Sequence, residues 1–415
     1  MAHIQSDRDI IRSLAEQQAR VAAQPAQQEN LKNWKRLNAL DPVKPMVSID
    51  QICWHELVTD PALQLACTDP FCRDIEWGIR STLYRWAHFP CDLVVPAHVD
   101  IQKAVANSGY GIDTVYDDRI SGEIHQNTET HLFADQIADE DALEAIRTPV
   151  VSHDLHETAE RRARAEHLLD GILGVRMAGP IPCFRVWDEL TFLRGVTPIL
   201  YDFADRPEFL HATMEKFTRI QLDLLDQYET LNLLDAQAPF AHCSPTHTDR
   251  LPGDGFDAAH VRAQDCWASG MGQIFSSCSP GLFDEFEIEY AKRYYARCGL
   301  VNYGCCEPLH DRVHLVRKMH GIRKISCSPW ADPNQMAKQL GPEFVLLRKP
   351  NPSFLSGSAL DETSIRRETR ETLAACRESG TPCEFVLKDI TTVMHEPSRL
   401  DRWADIVRQE IVDFG

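Results

Sequence analysis

Residues 300 to 326 read "LVNYGCCEPLHDRVHLVRKMHGIRKIS", and this stretch decides the predicted fold. A short apolar run at 300–304 precedes a segment with helical spacing that ends at Gly321, and a further predicted strand, "IRKIS", follows at 322–326. A glycine is a common helix terminator. A strand, a helix and another strand in this order form the repeating unit of a parallel sheet. The stretch therefore predicts an α/β fold.

The same alternation continues along the chain. Further strands are predicted at 272–280, 343–347 and 383–388, and helices at 361–380 and 399–412. Five strand–helix repeats, with at least three more before them, favour a (β/α)8 barrel of the TIM type over an open doubly wound sheet. No glycine-rich nucleotide fingerprint follows a predicted strand, which weakens the open-sheet alternative. Residues 1–90 are expected to form an N-terminal helical arm and cap, and residues 91–415 the barrel domain.

Composition narrows the classes of function. The 62 acidic and 43 basic residues give a formal charge of −19, which repels phosphate backbones and anionic membranes. Nucleic acid and membrane are therefore not expected as partners. The polar N-terminus lacks an apolar leader segment, and the protein is expected to be cytoplasmic. Fourteen cysteines in a reducing compartment are expected to be free, metal-binding or reactive thiols.

The ends of the predicted strands carry thiols and carboxylates. In a (β/α)8 barrel the catalytic groups lie at these ends and in the loops that follow. Thiolates with oxygen ligands from separate strands suit a zinc ion that keeps an open position for substrate. The predicted metal ligands are Cys305, Cys306, Glu307, Cys327 and Asp389. Only one of the two adjacent cysteines is expected to face inward, since strand residues alternate, and the sequence does not decide which.

Other residues near the strand ends are candidates for catalysis or substrate binding. Glu307 is a metal ligand, a general acid or part of the start of the next helix. The substrate candidates are His242, His247, Trp330, Arg348 and Lys349. A solvated polar loop is the alternative for the two histidines, packing is the alternative for Trp330, and shaping of the rim is the alternative for the two basic residues.

Four segments in this order resemble the uroporphyrinogen decarboxylase superfamily, which includes zinc-dependent, corrinoid-linked methyltransferases. The segments are "DELTFLRGVTPILYDFADRPEFLHATMEKFT" (188–218), "CSPGLFDEFEIEYAKRY" (278–294), the opening stretch (300–326) and "LGPEFVLLRKPNP" (340–352). The resemblance covers residues 135–412 and implies a (β/α)8 barrel with its pocket at the carboxyl-terminal mouth.

The departures from this family point away from the decarboxylases proper. Those enzymes carry an arginine-rich segment near the N-terminus, and this chain has none. The methyltransferases carry a His-x-Cys-Gly segment; here the His falls on Tyr303 or Gly304, and the Cys on one of the two adjacent cysteines. The loop after the last strand, "KDITTVMHEP", has no cysteine, so the resemblance implies a rebuilt zinc site completed by Asp389, His395, Glu307 or Cys327.

The leading hypothesis is methyl transfer between a small methylated substrate, such as a methyl ether or amine, and a corrinoid protein. The proposed catalytic residues are Glu307 and Asp389, with Tyr303 shaping the pocket; zinc is the expected metal, and the corrinoid is carried by the partner. Three alternatives stay open: a metal-independent decarboxylase-like lyase using Asp389 and His247, a thiol-nucleophile enzyme, and a non-catalytic binding barrel. A homodimer is a further open expectation.

Overall fold

The computed structural model describes residues 6–117 and 132–414. Its centre is a parallel sheet of seven strands. In chain order these are β1 (Met46–Ile49), β2 (Cys183–Phe184), β3 (Trp267–Gly270), β4 (Leu300–Tyr303), β5 (Ile322–Cys327), β6 (Val345–Arg348) and β7 (Cys383–Leu387). Their order across the sheet is β1-β7-β6-β5-β4-β3-β2, and every neighbouring pair is parallel. The predicted α/β class with a parallel sheet is therefore confirmed.

Closure into an eight-stranded barrel is not shown. Within residues 6–117 and 132–414, β1 and β2 form the two edges of the sheet and are not paired with each other. The pairing of the first strand with the last is nevertheless the connection that a barrel requires. Since β1 lies within the first 90 residues, that part of the chain contributes to the sheet as well as to helices.

Helices lie between the strands in the sequence and cover the sheet. Every residue of β3 to β7 is buried, as expected for parallel strands with both faces covered. The α-helices are Asp7–Ala22, Pro25–Asn38, Trp54–Leu57, Pro70–His88, Glu140–Ala145, Leu155–Leu169, Val186–Arg194, Val196–Asp205, Pro207–Thr230, Pro280–Phe283, Glu289–Tyr295, Val313–Val316, Pro333–Leu340, Glu362–Ser379 and Ser398–Phe414. The predicted helices at 361–380 and 399–412 are confirmed.

Short elements complete the fold. The 3-10 helices are Pro61–Leu63, Ala263–Asp265, Gln273–Ser277, Gly341–Glu343 and Pro352–Leu355, and Asp284–Ile288 is a π-helix. Four small two-stranded sheets pair His98–Gln102 with Gly174–Ala178, Val105–Asn107 with Val151–His153, Tyr116–Asp117 with Leu132–Phe133, and Phe240–Ala241 with Ser244–Pro245. The N-terminal helix Asp7–Ala22 packs with Pro70–His88 and Leu155–Leu169 around a separate apolar cluster.

The prediction of a strand at 272–280 is wrong. Residues Gln273–Ser277 form a 3-10 helix, and the strand is Trp267–Gly270, immediately before it. The sequence "WASG" has little β-propensity because three of its four residues are small. Tight packing explains the small residues: a Cβ on Gly270 would lie 1.7 Å from Tyr295 Oη and 2.3 Å from the Phe184 carbonyl oxygen.

Phe240–Ala241 and Ser244–Pro245 form a hairpin. This hairpin contacts polar side chains of β4 and β5. Asn302 on β4 donates to the Ala241 carbonyl at 2.7 Å, and Lys324 on β5 donates to Ser244 Oγ at 2.7 Å. The two residues at the hairpin tip, His242 and Cys243, have left-handed backbone conformations with φ of 43° and 71°. These contacts hold the tip close to the strand ends.

Candidate active site

A cavity of about 360 Å³ lies beside the carboxyl ends of β4 to β7. Parallel strands present their carboxyl ends at one edge of the sheet, so residues distant in sequence meet there. The cavity is lined by Cys305, Cys306, Pro329, Trp330, Lys349, Pro350, Asn351, Pro352, Ser353, Ser356, Lys388, Asp389 and Thr391. Five of the residues singled out in the sequence are among them: Cys305, Cys306, Trp330, Lys349 and Asp389.

The two adjacent cysteines both line this cavity, so the expectation that only one of them would face inward is wrong. They follow the end of β4, so the alternation of strand side chains no longer applies to them. Their Sγ atoms lie 3.6 Å apart. Lys388 Nζ lies 3.2 Å from Cys305 Sγ and 2.8 Å from Asp389 Oδ2, while Cys306 Sγ lies 3.7 Å from the same Asp389 oxygen. Two sulfurs, an ammonium and a carboxylate therefore form one connected group.

The two thiols of this group differ in acidity. A hydrogen bond from Cys306 lowers the pKa of Cys305 well below its ordinary value, with burial opposing and Lys349 assisting. The same hydrogen bond, together with burial, raises the pKa of Cys306. Although burial acts to lower it, the neighbouring Cys305 raises the pKa of Lys388 above its ordinary value. The directions of these shifts favour negative charge on Cys305 and positive charge on Lys388.

His242, at the hairpin tip, lies close enough to Cys305 for that thiol to affect its pKa. Burial, followed by the nearby Lys349 ammonium, lowers the pKa of His242 below its ordinary value. A neutral imidazole is therefore placed beside the thiolate. His242 Nε2 is buried and has no hydrogen-bond partner among the described residues.

His247 is not brought to the same cavity. It lines a separate cavity of about 520 Å³ together with Trp34 and Pro245. Burial, followed by Lys324 and Lys35, lowers the pKa of His247 to about 4. The structure thus separates His247 from Asp389, with which the lyase alternative had combined it.

Glu307 holds the segment that contains Cys305 in place through hydrogen bonds. Its side chain is fully buried, and its two oxygens accept from the Gly272 N–H at 3.2 Å and the Cys305 N–H at 2.9 Å. These bonds tie the segment after β3 to the segment after β4. Burial, followed by the Cys305 charge, raises the pKa of Glu307 to about 7. The geometry gives Glu307 a positioning role toward Cys305.

Replacing Glu307 with glutamine is expected to remove a pH dependence of stability. Because the folded-state pKa of about 7 lies above the ordinary 4.5, the stability that this carboxyl contributes is greatest below about pH 4.5 and is lost as the pH rises through 7. Urea unfolding of both proteins at about pH 5 and about pH 8 measures this. The free energy of unfolding should fall more with pH in the wild type; equal falls in both proteins would contradict the assignment.

Gly304 fixes the direction in which the chain leaves β4. Its φ is +98°, and a Cβ there would lie 2.6 Å from Leu309 Cδ1 and 3.1 Å from Ser326 Cβ. Its carbonyl oxygen accepts from Ser326 Oγ at 2.7 Å and from Lys349 Nζ at 3.0 Å. Glycine is therefore required at this position.

Gly304→Ala is expected to lower the free energy of unfolding by about 1–3 kcal/mol, because it adds both backbone strain and a steric clash. Urea denaturation measures the loss. Gly281→Ala is the matched control, since the nearest atom to a Cβ there is Ser279 Oγ at 3.7 Å. A loss at Gly304 no larger than that at Gly281 would contradict this account.

Like Glu307, His242 and His247, three further predicted residues do not line the cavity. Tyr303 is fully buried and donates to Glu287 Oε1 at 2.9 Å. Cys327 is fully buried, with Arg348 Nη1 lying 3.3 Å from its sulfur. Arg348 is paired with Glu368 at 2.5 Å. These side chains stabilise the surroundings of the strand ends, whereas Lys349 and the exposed Trp330 line the cavity itself.

The predicted zinc ligands do not form one set. Cys305, Cys306 and Asp389 are neighbours, but Lys388 neutralises the atoms that a cation would bind, and Glu307 and Cys327 are held by other partners. In the part of the chain that the structure describes, no group of three or more His, Cys, Asp or Glu side chains is arranged to hold a metal ion. Zinc stays a prediction, and the described donors do not fit it.

Lys388 is the residue that sequence reasoning missed. The stretch "CEFVLK" indicated a strand through residue 388, whereas β7 ends at Leu387. A lysine directly after an apolar strand and directly before Asp389 could have been a signal, since charged groups seldom enter a buried edge without a partner.

Comparison with known proteins adds little about activity. No family model and no curated protein matches the chain. Among solved structures, a methyltransferase from Methanosarcina mazei superposes with a TM-score of 0.49 at 11% sequence identity, covering 92% of this chain and 98% of that one. Among the described helices, none is long and apolar enough to span a membrane.

Proposed function

We propose that this chain is a methyltransferase that moves a methyl group between a small methylated substrate and a corrinoid protein at the Cys305 cavity. The observation that carries this proposal is the charged group of Cys305, Lys388 and Asp389 at the edge of a small cavity. Active sites of α/β barrels lie at this end of the strands. A cavity of about 360 Å³ suits a small molecule.

Lys388 has the central role in this proposal. When a methyl group leaves an ether or amine, the remaining heteroatom gains an electron pair and needs a proton or a hydrogen bond. Lys388 Nζ is already shared between Cys305 and Asp389, so a donor is in place without further reorganisation. Preorganised donors of this kind stabilise charge that develops in the transition state. Asp389 keeps the ammonium oriented and can return the proton.

Trp330 and the Pro350–Pro352 turn would form the outer wall for the substrate. The Trp330 side chain is 71% exposed, so its ring is available to cover a planar substrate. The corrinoid, carried by a partner protein, would supply the cobalt centre that receives the methyl group. The substrate's methyl group must then point toward the open side of the cavity.

A thiol-nucleophile enzyme is the second candidate. It is favoured by His242, whose imidazole lies beside Cys305 and is kept neutral by burial. In such an enzyme Cys305 would attack the substrate carbon directly. The two candidates differ in what they require: methyl transfer needs a corrinoid acceptor, whereas a thiol-nucleophile enzyme turns over without one.

The test uses the purified full chain with reduced free cobalamin and a panel of methyl ethers and methylamines. An accepted donor converts cob(I)alamin to methylcobalamin, which is followed by absorbance, and Lys388→Met should slow this conversion at least about 100-fold. Lys338→Met, at an exposed helix position, serves as the control. No conversion with any donor, combined with covalent labelling of Cys305 by activated esters, would favour the second candidate. Metal content measured on the same sample tests zinc.

We also propose a closed eight-stranded barrel, a domain boundary near residue 90, a cytoplasmic location and a homodimer. The pairing of β1 with β7 supports the first of them, since these strands would be neighbours in a closed barrel.

A further inference from the structure

Two consecutive thiols face one solvent-connected cavity in this chain. Cys305 Sγ and Cys306 Sγ lie 3.6 Å apart, and both residues line the 360 Å³ cavity. Cys305 is 4% exposed and Cys306 is partly exposed, so a reagent of the size of a peroxide reaches them through the cavity. Proximity of two sulfurs and access for an oxidant are the requirements for forming a disulfide.

We propose that Cys305 and Cys306 are an oxidative modification site, in which hydrogen peroxide converts the pair to a reversible disulfide between adjacent residues. Cys305 sulfur attacks one peroxide oxygen, the O–O bond breaks, and Cys305 becomes a sulfenic acid while the peroxide is reduced to water. Cys306 sulfur then attacks Cys305 sulfur while its proton passes to Asp389, the S–O bond breaks, and the departing hydroxide takes that proton from Asp389 and leaves as a second water.

The surrounding charges assign the two roles. Lys388 Nζ, 3.2 Å from Cys305 Sγ, stabilises negative charge on the attacking sulfur. Asp389 Oδ2, 3.7 Å from Cys306 Sγ, is placed to accept the proton that Cys306 loses in the second step. Cys305 is therefore the oxidised residue and Cys306 the resolving one.

The geometry of the product makes the modification reversible. The Cα atoms of adjacent residues are about 3.8 Å apart across a trans peptide, whereas disulfides normally span about 4.4–6.8 Å. A disulfide between residues 305 and 306 is therefore strained, and strained disulfides are reduced more readily than relaxed ones. The bond should be opened by low concentrations of a dithiol.

The consequence for catalysis rests on the proposed function. Oxidation removes the negative charge on the sulfur that Lys388 contacts and the S–H proton of Cys306 beside Asp389, so the charged group at the cavity is broken up. Methyl transfer would stop while the disulfide persists and return on reduction. The modification itself is measured without any methyl-transfer assay, so the two proposals can fail separately.

The experiment treats the full chain with a small excess of hydrogen peroxide, followed by quenching, denaturation, alkylation and mass spectrometry. The expected product has lost two hydrogens and two of its fourteen alkylatable thiols, and the peptide containing residues 305 and 306 carries the change. Dithiothreitol should restore both thiols. Cys306→Ser should instead gain one oxygen at residue 305, and Cys305→Ser should lose the rapid reaction.

The control is a second pair of interacting thiols, Cys376 and Cys383, which are both buried and lie outside the Cys305 cavity. Cys376→Ala should leave the peroxide reaction unchanged. Oxidation that begins at Cys376 or Cys383, or a wild-type product that accumulates sulfinic acid at Cys305 without losing hydrogens, would overturn the proposal. So would Cys305→Ser reacting at the wild-type rate.

Discussion

Lys388→Met is expected to slow methyl transfer by about 10²–10³-fold, the usual loss when one preorganised donor is removed from a transition state. Lys388 is 2% exposed, and its ammonium contacts both Cys305 and Asp389, so methionine fills the space without replacing the charge. The same substitution removes the ammonium that lies 3.2 Å from Cys305 Sγ, which acts on this thiol in addition to the Cys306 hydrogen bond and Lys349. The pKa of Cys305 should therefore rise toward its ordinary value.

Two measurements check this prediction. The rate of cobalamin methylation reports the catalytic loss, and the pH dependence of alkylation by iodoacetamide reports the Cys305 thiolate, since only the thiolate reacts. In the wild type the alkylation rate should remain high at mildly acidic pH; in Lys388→Met it should fall there. Lys388→Arg keeps the charge and should retain most of the thiolate character. Unchanged alkylation in Lys388→Met would show that Lys388 does not control Cys305.

Lys324→Ala is expected to lower the free energy of unfolding by about 3–5 kcal/mol, because it leaves a buried carboxylate without its partner. Lys324 on β5 and Glu384 on β7 are both fully buried, with Nζ and Oε1 3.0 Å apart. Removing the lysine leaves the Glu384 carboxylate with Ser244 Oγ, which donates to it at 2.8 Å, but without a compensating charge. Lys324 also lies over the Trp34 and Trp267 rings.

Equilibrium unfolding in urea measures this effect. The double variant Lys324→Met/Glu384→Leu is the control, because exchanging both members of a buried ion pair for apolar residues avoids the unpaired charge. It should recover most of the stability that Lys324→Ala loses. A single variant that loses less than about 1 kcal/mol would mean that water or another cation reaches Glu384.

The parallel sheet was predictable because its signal is local. β4, β6 and β7 are short runs rich in apolar residues, and β5 combines Ile322 and Ile325 with polar residues. The predicted strands at 300–304, 322–326, 343–347 and 383–388 overlap the observed ones. Strand β3 was missed because its small residues are required by close contacts with Tyr295 and Phe184, which are distant in the sequence.

The position of the cavity was predictable from the sequence, but the direction in which each side chain at the strand ends points was not. Strand ends indicated where chemistry would lie, and five predicted residues do line the cavity. Whether a side chain such as Cys327 turns toward the cavity or toward Arg348 depends on packing that a linear pattern does not encode. The same holds for His242, which reaches Cys305 only because the hairpin contacts Asn302 and Lys324.

The pairing of β1 with β7 also constrains how the chain is made. Met46 pairs with Glu384, which leaves the ribosome 338 positions later. At roughly 5–20 residues per second, β1 waits on the order of 15 s to a minute for its neighbour. Throughout that time its four residues, all buried in the finished sheet, have an unsatisfied edge. We expect nascent chains to need protection from aggregation until translation of β7 is complete.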